Sequence, residues 1–341
     1  MKRYRVALAG YYGFGNLGDE LLAEASIAAL LRCGVDRGEI VLMSAAPEGC
    51  KQKRKKFGVD CVNRWKISQV CRALRQSKTL LLGGGGLFQD VSSLRSCLYY
   101  WWLVRMACFC GAVPWALGQS VGPLSTRIGR RLTRDALSRC RVLQVRDTAS
   151  EALCASLGLS VEAGDDLVLS LADSFTNQAD AYYQTPSRLL VNLRPDAHGL
   201  AERFAEAVSV YAASFDGEII GVALSEEDEN VMNRCAREGY LPISRIERVA
   251  DLSGAVSIFS AFHATVAMGM RLHFVILAAL AKIPLVAAPY DPKVESFAVS
   301  HNIPVWRDGA LPSPCAASFP GDFSAAGVRE NIHGLCCRVL G

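Results

Sequence analysis

The sequence predicts an α/β protein made of two doubly wound, parallel-sheet domains of similar size facing a cleft. Three observations carry this. Short apolar runs alternate with helical patterns along most of the chain. The alternation breaks once, at the polar and uneven stretch Asp173–Ser187, and then restarts. Glycine-rich or cationic motifs sit just after the apolar runs, where α/β sheets bind ligands. Strand, helix, strand at this spacing needs crossover connections, so the sheets are parallel with both faces covered. The domains are expected over residues 1–175 and 186–341.

In the first domain, Tyr4–Gly10 reads as a strand and Glu20–Leu31 as a helix led by Asp19. Strands follow at Glu39–Ser44, at Thr79–Leu82, at Val113–Leu117 and at Arg141–Arg146. In the second, Leu189–Leu193 is a strand, Leu200–Ser214 a helix and Glu218–Leu224 a strand, followed by a helix opened by Ser225 with Asp228 three residues on. Strands are then expected near Val256–Phe259, at His263–Met268 and at Leu285–Ala288, with a helix over Leu272–Lys282. The most apolar stretch, Cys97–Gly118, is interrupted by Arg105 and Pro114 and falls short of the ~20 apolar residues that span a bilayer. It reads as a buried helix and a strand, with contact of Tyr99–Trp102 to a membrane or partner left open.

With 51% hydrophobic and 21% charged residues in 341, the composition is that of a globular chain with room for two cores. A net charge of +4 gives no reason to expect nucleic acid as a partner. The 13 cysteines contain no CxxC pair and lie mostly in apolar runs, as free thiols of a reducing compartment do. Lys2, Arg3 and Arg5 precede an apolar run too short for a signal peptide. A cytoplasmic location is expected. Lys51–Lys56 is a solvated basic face or a contact with anionic lipid at the inner membrane face. No His, Cys, Asp or Glu cluster has ligand spacing, so neither metal nor cofactor is expected.

Six motifs stand out. Gly13–Glu20 (GFGNLGDE) matches a dinucleotide fingerprint, but Asp19 and Glu20 in the first helical turn would repel a pyrophosphate. A hydroxyl-bearing ligand suits Asn16 and Asp19 better, and helix capping is the plain alternative. Gly83–Gly86, with Gly85 among them, permits close backbone approach to a ligand or a neighbouring loop. Gly118–Pro123, containing Gln119, follows the next strand. Arg146-Asp147 is either a local ion pair or an anion contact. Asn192–Pro195 puts Arg194 at a strand end of the second domain. The strongest is Met268–His273: Arg271 and His273 at a helix start combine two donors with the positive end of the helix dipole. Lys293, after the last strand, is a further cation for a phosphate.

In order, these motifs resemble those of the polysaccharide pyruvyl transferase family, in particular its CsaB-like bacterial members, over residues 6–297. The marks are Asn16–Glu20, Gly83–Asp90, Gly118–Pro123, Arg146-Asp147, Asn192–Pro195, Arg271–His273 and Tyr290–Val294. The resemblance implies two Rossmann-like domains in the GT-B glycosyltransferase architecture, phosphoenolpyruvate as donor and a ketal on a sugar as product. It also implies an acceptor such as N-acetylmannosamine in a lipid-linked cell-wall precursor. His273 would then be the general acid, and Arg271, Arg194, Arg146 and Lys293 would hold the donor. Asn16, Asp19, Gly85 and Gln119 would meet the acceptor. A nucleotide-sugar glycosyltransferase on the same architecture is the alternative, and self-association is left open.

Overall fold

The computed structural model describes residues 2–45, 54–91, 93–175, 187–260, 265–319 and 324–341. Among the described residues, two fully parallel sheets account for the named strands, one of seven and one of five. The first contains β1 (Tyr4–Ala9), β2 (Ile40–Ser44), β3 (Asp60–Asn63), β4 (Ser77–Phe88), β5 (Val113–Val121), β6 (Leu143–Val145) and β7 (Glu162–Ala163) in the order β3-β2-β1-β4-β5-β6-β7. Its helices are α1 (Leu17–Arg32), α2 (Ile67–Arg75), α3 (Arg95–Phe109), α4 (Arg127–Leu137) and α5 (Thr148–Ser156). The central strands β1, β2 and β4 are nearly continuous apolar runs, as burial on both faces requires.

The second sheet contains β8 (Arg188–Asn192), β9 (Glu218–Ala223), β10 (Arg245–Arg248), β11 (Thr265–Gly269) and β12 (Leu285–Ala287), ordered β10-β9-β8-β11-β12. Its helices are α6 (Leu200–Ala212), α7 (Glu226–Arg237), α8 (Leu252–Phe259), α9 (Leu272–Leu280) and α10 (Pro292–Ser300). In each sheet the strand order reverses beside the first strand, between β1 and β4 and between β8 and β11. Those are the switch points at which open α/β sheets take ligands.

The chain divides into two compact units, each with its own hydrophobic core. The first comprises Met1–Phe14, Asp19–Ser170 and Ser324–Gly341, and the second Gly15–Gly18 and Leu171–Phe323. This corrects the boundary at residue 341, because the last helix, α11 (Ala325–Leu340), belongs to the first unit. Its stripe of Val328, Ile332, Leu335, Cys336 and Val339 is buried, and the helix is tied by Gln144–Asn331, Arg338–Glu162 and Arg5 to the Leu340 carbonyl. Residues 176–186 of the expected linker lie outside the described residues, as does His263.

One further difference has a local cause. Val256–Phe259 is helical, not a strand, because Asp251 caps α8 through the Gly254 amide and the buried Ala255 and Phe259 lie four apart, one helical turn. The aromatic run on α3 is packed inward: Tyr100 is buried, Tyr99, Trp101 and Trp102 lie against the first core, and the Trp101 indole donates to Asp135. Among the described residues, no helix is long and apolar enough to cross a membrane.

Candidate active site

The second unit's switch point gathers the motifs that stand apart in sequence. Asn192, the last residue of β8 and fully buried, lies beside Gly269 of β11. Its amide nitrogen donates to the Val222 carbonyl at 2.9 Å and to Asp228 Oδ2 at 3.4 Å, and its Oδ1 accepts from the Arg271 amide at 3.0 Å. Thus the Asn-Leu-Arg motif fixes the backbone entry of the Arg-Leu-His motif.

Asp228 is the hub. It lies in the first turn of α7, capped by Ser225, and its side chain has no exposed surface. Arg271 Nε donates to both its oxygens at 2.9 and 3.0 Å, and Nη2 donates to Oδ1 at 2.5 Å and to Ser225 Oγ at 2.8 Å. Burial alone would lower the Arg271 pKa, but the hydrogen bond and charge of Asp228 outweigh it and hold it above the usual range. Among the described residues, Nη1 of Arg271 has no hydrogen-bond partner, and the side chain keeps 13% of its surface exposed. The guanidinium is therefore clamped on one edge and open on another.

Arg194 stacks over the Tyr290 ring, Cζ lying 3.7 Å from the centroid. Among the described residues its buried Nε has no hydrogen-bond partner and no carboxylate pairs with it. Since Arg194 follows β8 and Tyr290 follows β12, the stack reaches across the end of β11, where Arg271 opens α9. Lys293, at the start of α10, pairs with Asp291, which caps that helix, at 3.1 Å and remains partly exposed.

His273 is the second residue of α9, where unpaired amides and the helix dipole favour anions. A side-chain Cβ at Gly18 would stand 2.0 Å from His273 Nδ1, so only glycine allows the ring its place. The Leu17 amide donates to the Leu224 carbonyl at 2.8 Å, and Asn16 Oδ1 accepts from the Gly18 amide at 3.2 Å. The Asn-Leu-Gly motif thus meets the Arg-Leu-His motif directly, within the second unit.

In the first unit the flagged residues are largely spent on internal structure. Arg146 and Asp166 form an ion pair with both side chains only 4% exposed, and Arg146 Nε donates to Ser120 Oγ at 2.8 Å. Asp147 is not its partner: it caps α5 through the Ser150 amide. Gln119 is fully buried, its amide nitrogen bridging the carbonyls of Leu82 and Leu117. Side chains at Gly83 and Gly84 would meet Tyr12, Ser26 and Leu22 at 2.6–2.7 Å, so these glycines let α1 and its approach close onto β4. Gly85, at φ +103°, brings the loop within 3.7 Å of Asp19 Oδ1, measured from where its Cβ would be. Asp19 and Gly85 are therefore neighbours, Asp19 half-buried and Gly85 buried, as Gln119 is. Of the basic run, Arg54 pairs with Asp60 and Lys56 with Glu24.

Sequence reasoning missed Asp228 as the partner of Arg271. The Ser225-x-x-Asp228 signature marks a helix start, but nothing local distinguishes an acid that caps from one buried against an arginine 43 residues away.

The fold matches solved structures of sugar-nucleotide enzymes and glycosyltransferases. UDP-GlcNAc 2-epimerase from Methanocaldococcus jannaschii aligns with a TM-score of 0.58 at 9% identity, covering 97% of this chain and 99% of that one. Anabaena Alr3699/HepE, solved with UDP and glucose, gives 0.56 at 11% over 99% and 92%. A Rickettsia africae glycosyltransferase gives 0.56 at 12% over 100% and 90%. Two Rossmann-like domains of GT-B type are thus the architecture. No curated protein matches the sequence. The profile of the polysaccharide pyruvyl transferases matches residues 16–292, and the chain belongs to that family of transferases.

Proposed function

We propose that the protein transfers the pyruvyl group of phosphoenolpyruvate to a sugar as a ketal, releasing phosphate. The observation that supports this best is that three cations and a histidine follow the adjacent strands β8, β11 and β12 of one sheet: Arg194, the open edge of Arg271, His273 and Lys293. Such a set suits a small donor bearing both a carboxylate and a phosphate.

In this reaction His273 delivers a proton to the donor's methylene carbon, and positive charge develops at the neighbouring carbon. A sugar hydroxyl attacks there, phosphate leaves, and a second hydroxyl closes the ketal. Of the two hydroxyl protons, one returns to His273 and the other departs with phosphate. Arg271 and Arg194 hold the donor's charges; Lys293 assists. Arg146, closed by Asp166, acts by holding the β5 and β6 ends. The second unit is the donor side and the first the acceptor side, where Asp19 and Gly85 orient the sugar and Gln119 supports the sheet beneath; Asn16, which belongs to the second unit, is a further acceptor contact. The acceptor is an N-acetylmannosamine unit of a lipid-linked cell-wall precursor, handled in the cytoplasm as by CsaB-like members, and the finished polymer anchors surface-layer proteins.

The test is phosphate release from phosphoenolpyruvate with a panel of acceptor glycans. Release that depends on an acceptor is the expected result. Release of a nucleoside diphosphate from a nucleotide sugar, with phosphoenolpyruvate untouched, would instead establish the glycosyltransferase alternative.

A further inference from the structure

The first unit carries an aromatic cluster that the reaction above does not use. Tyr11 and Phe14 follow β1, and Trp65 follows β3, so all three stand beyond the carboxyl ends of strands in one sheet. They remain 44%, 39% and 58% exposed. The Tyr11 and Phe14 rings are stacked at 3.9 Å and 11°, and Trp65 meets Phe14 edge-on at 6.2 Å and Tyr99 at 5.9 Å. Contiguous exposed rings cost free energy in water and mark a binding surface.

Arg64 lies beneath them, only 4% exposed. Its Cζ is 5.4 Å from the Phe14 centroid, 5.2 Å from Trp65, 4.2 Å from Tyr99 and 5.4 Å from Tyr100. Nη1 donates to the Gly10 carbonyl at 2.7 Å and Nη2 to the Tyr100 hydroxyl at 3.3 Å, while buried Nε has no partner among the described residues. Among the described residues no carboxylate pairs with this guanidinium. The ring faces offset part of its burial cost, and the net positive charge remains under the surface, with exposed Lys66 next in the chain.

Ring faces carry negative electrostatic potential, which suits the C–H face of a pyranose, and the uncompensated cation suits a negative group on the same ligand. We infer that Tyr11, Phe14 and Trp65, held by Arg64, form a stacking platform for an anionic saccharide, a pyranoside carrying a phosphate or similar group. It rests on the reading of the first unit as the acceptor side.

The test is direct binding without phosphoenolpyruvate, followed by the fluorine resonances of 5-fluorotryptophan-labelled protein. The probes are N-acetylglucosamine 1-phosphate and methyl N-acetylglucosaminide. The Trp65 signal, identified by its loss in Trp65→Phe protein, is expected to shift on titration. The phosphate should bind more tightly, by a margin that shrinks with salt. Trp65→Ala and Phe14→Ala should each weaken binding about tenfold with thermal melting unchanged, and Trp65→Phe by only about threefold. Absence of saturable binding, or equal binding by wild type and Trp65→Ala, overturns the inference. So does a Trp65→Ala protein that keeps sugar binding but loses sedimentation with phosphatidylglycerol vesicles, which would make the patch a membrane contact. If sugar binding follows this pattern and no phosphate is released with any acceptor, the ketal-transfer reading fails alone. If phosphate is released with KM for the acceptor unchanged in Trp65→Ala, the platform fails alone.

Discussion

The carboxyl ends of the two parallel sheets carry comparable motifs and use them differently. In the first unit, Arg146 is closed by Asp166, the amide nitrogen of Gln119 is taken by two carbonyls, and Asp90 accepts from Ser125 and Thr126. In the second, Asp228 clamps Arg271 on one edge only, Arg194 is stacked rather than paired, and His273 sits at the first turn of α9. A strand-end arginine is thus not by itself a ligand contact. The number of its nitrogens left over by the protein decides what it can still bind.

The sharpest way to break this comparison is His273→Gln. A positioned acid typically contributes about 10²–10⁴ in rate, so kcat for phosphate release should fall by that factor while phosphoenolpyruvate binding by calorimetry changes little. A loss of a few-fold only would remove His273 from the proton transfer.

The next test exchanges whole ion pairs. Removing one partner of a buried pair typically costs about 3–5 kcal/mol, whereas replacing both with apolar residues is often near neutral. Asp228→Ala and Asp166→Ala should each lower denaturant stability by that amount. The double changes Arg146→Met with Asp166→Leu, and Arg271→Met with Asp228→Leu, should both recover most of it. Only the first should then keep donor binding. If both doubles bind phosphoenolpyruvate normally, Arg271 is as structural as Arg146.

Gly18→Ala is expected to act more gently. The added methyl displaces His273 without removing it, and a 1 Å misplacement of a reacting group costs up to about 10²-fold. The expected signature is reduced kcat with a melting temperature within a few degrees of wild type.

How much of this was legible in the sequence follows from range. Strand and helix alternation is a local pattern, and the parallel sheets and most elements could be read from it. The exceptions depended on caps or long-range packing: Asp251 turned an apolar run into α8, and α11 found its apolar partner in the first unit. The position of Arg271 and His273 at a helix start was legible because a helix start is visible locally. The Arg271–Asp228 clamp, the Gly18–His273 contact and the internal use of Gln119 join residues far apart in the chain. Composition and spacing carry no record of those distances.

The smallest expected effect sharpens the comparison from the first unit. Asp90 belongs to the Gly83–Asp90 motif, yet it receives four hydrogen bonds, from the amides and hydroxyls of Ser125 and Thr126. Burial alone would raise its pKa, but these bonds outweigh it and hold the carboxyl below its ordinary range. A pKa depressed on folding contributes stability that is complete above the unfolded value, about 4 for aspartate. That stability fades as pH falls through the folded value. Asp90→Asn, which keeps the shape but loses the charge, should cost about 1.5–3 kcal/mol at neutral pH. Its deficit against wild type should shrink as pH is lowered below about 4. Donor binding by the second unit should stay unchanged at neutral pH. A deficit that stays constant down to strongly acid pH would mean that the Asp90 carboxylate is not the stabilising species.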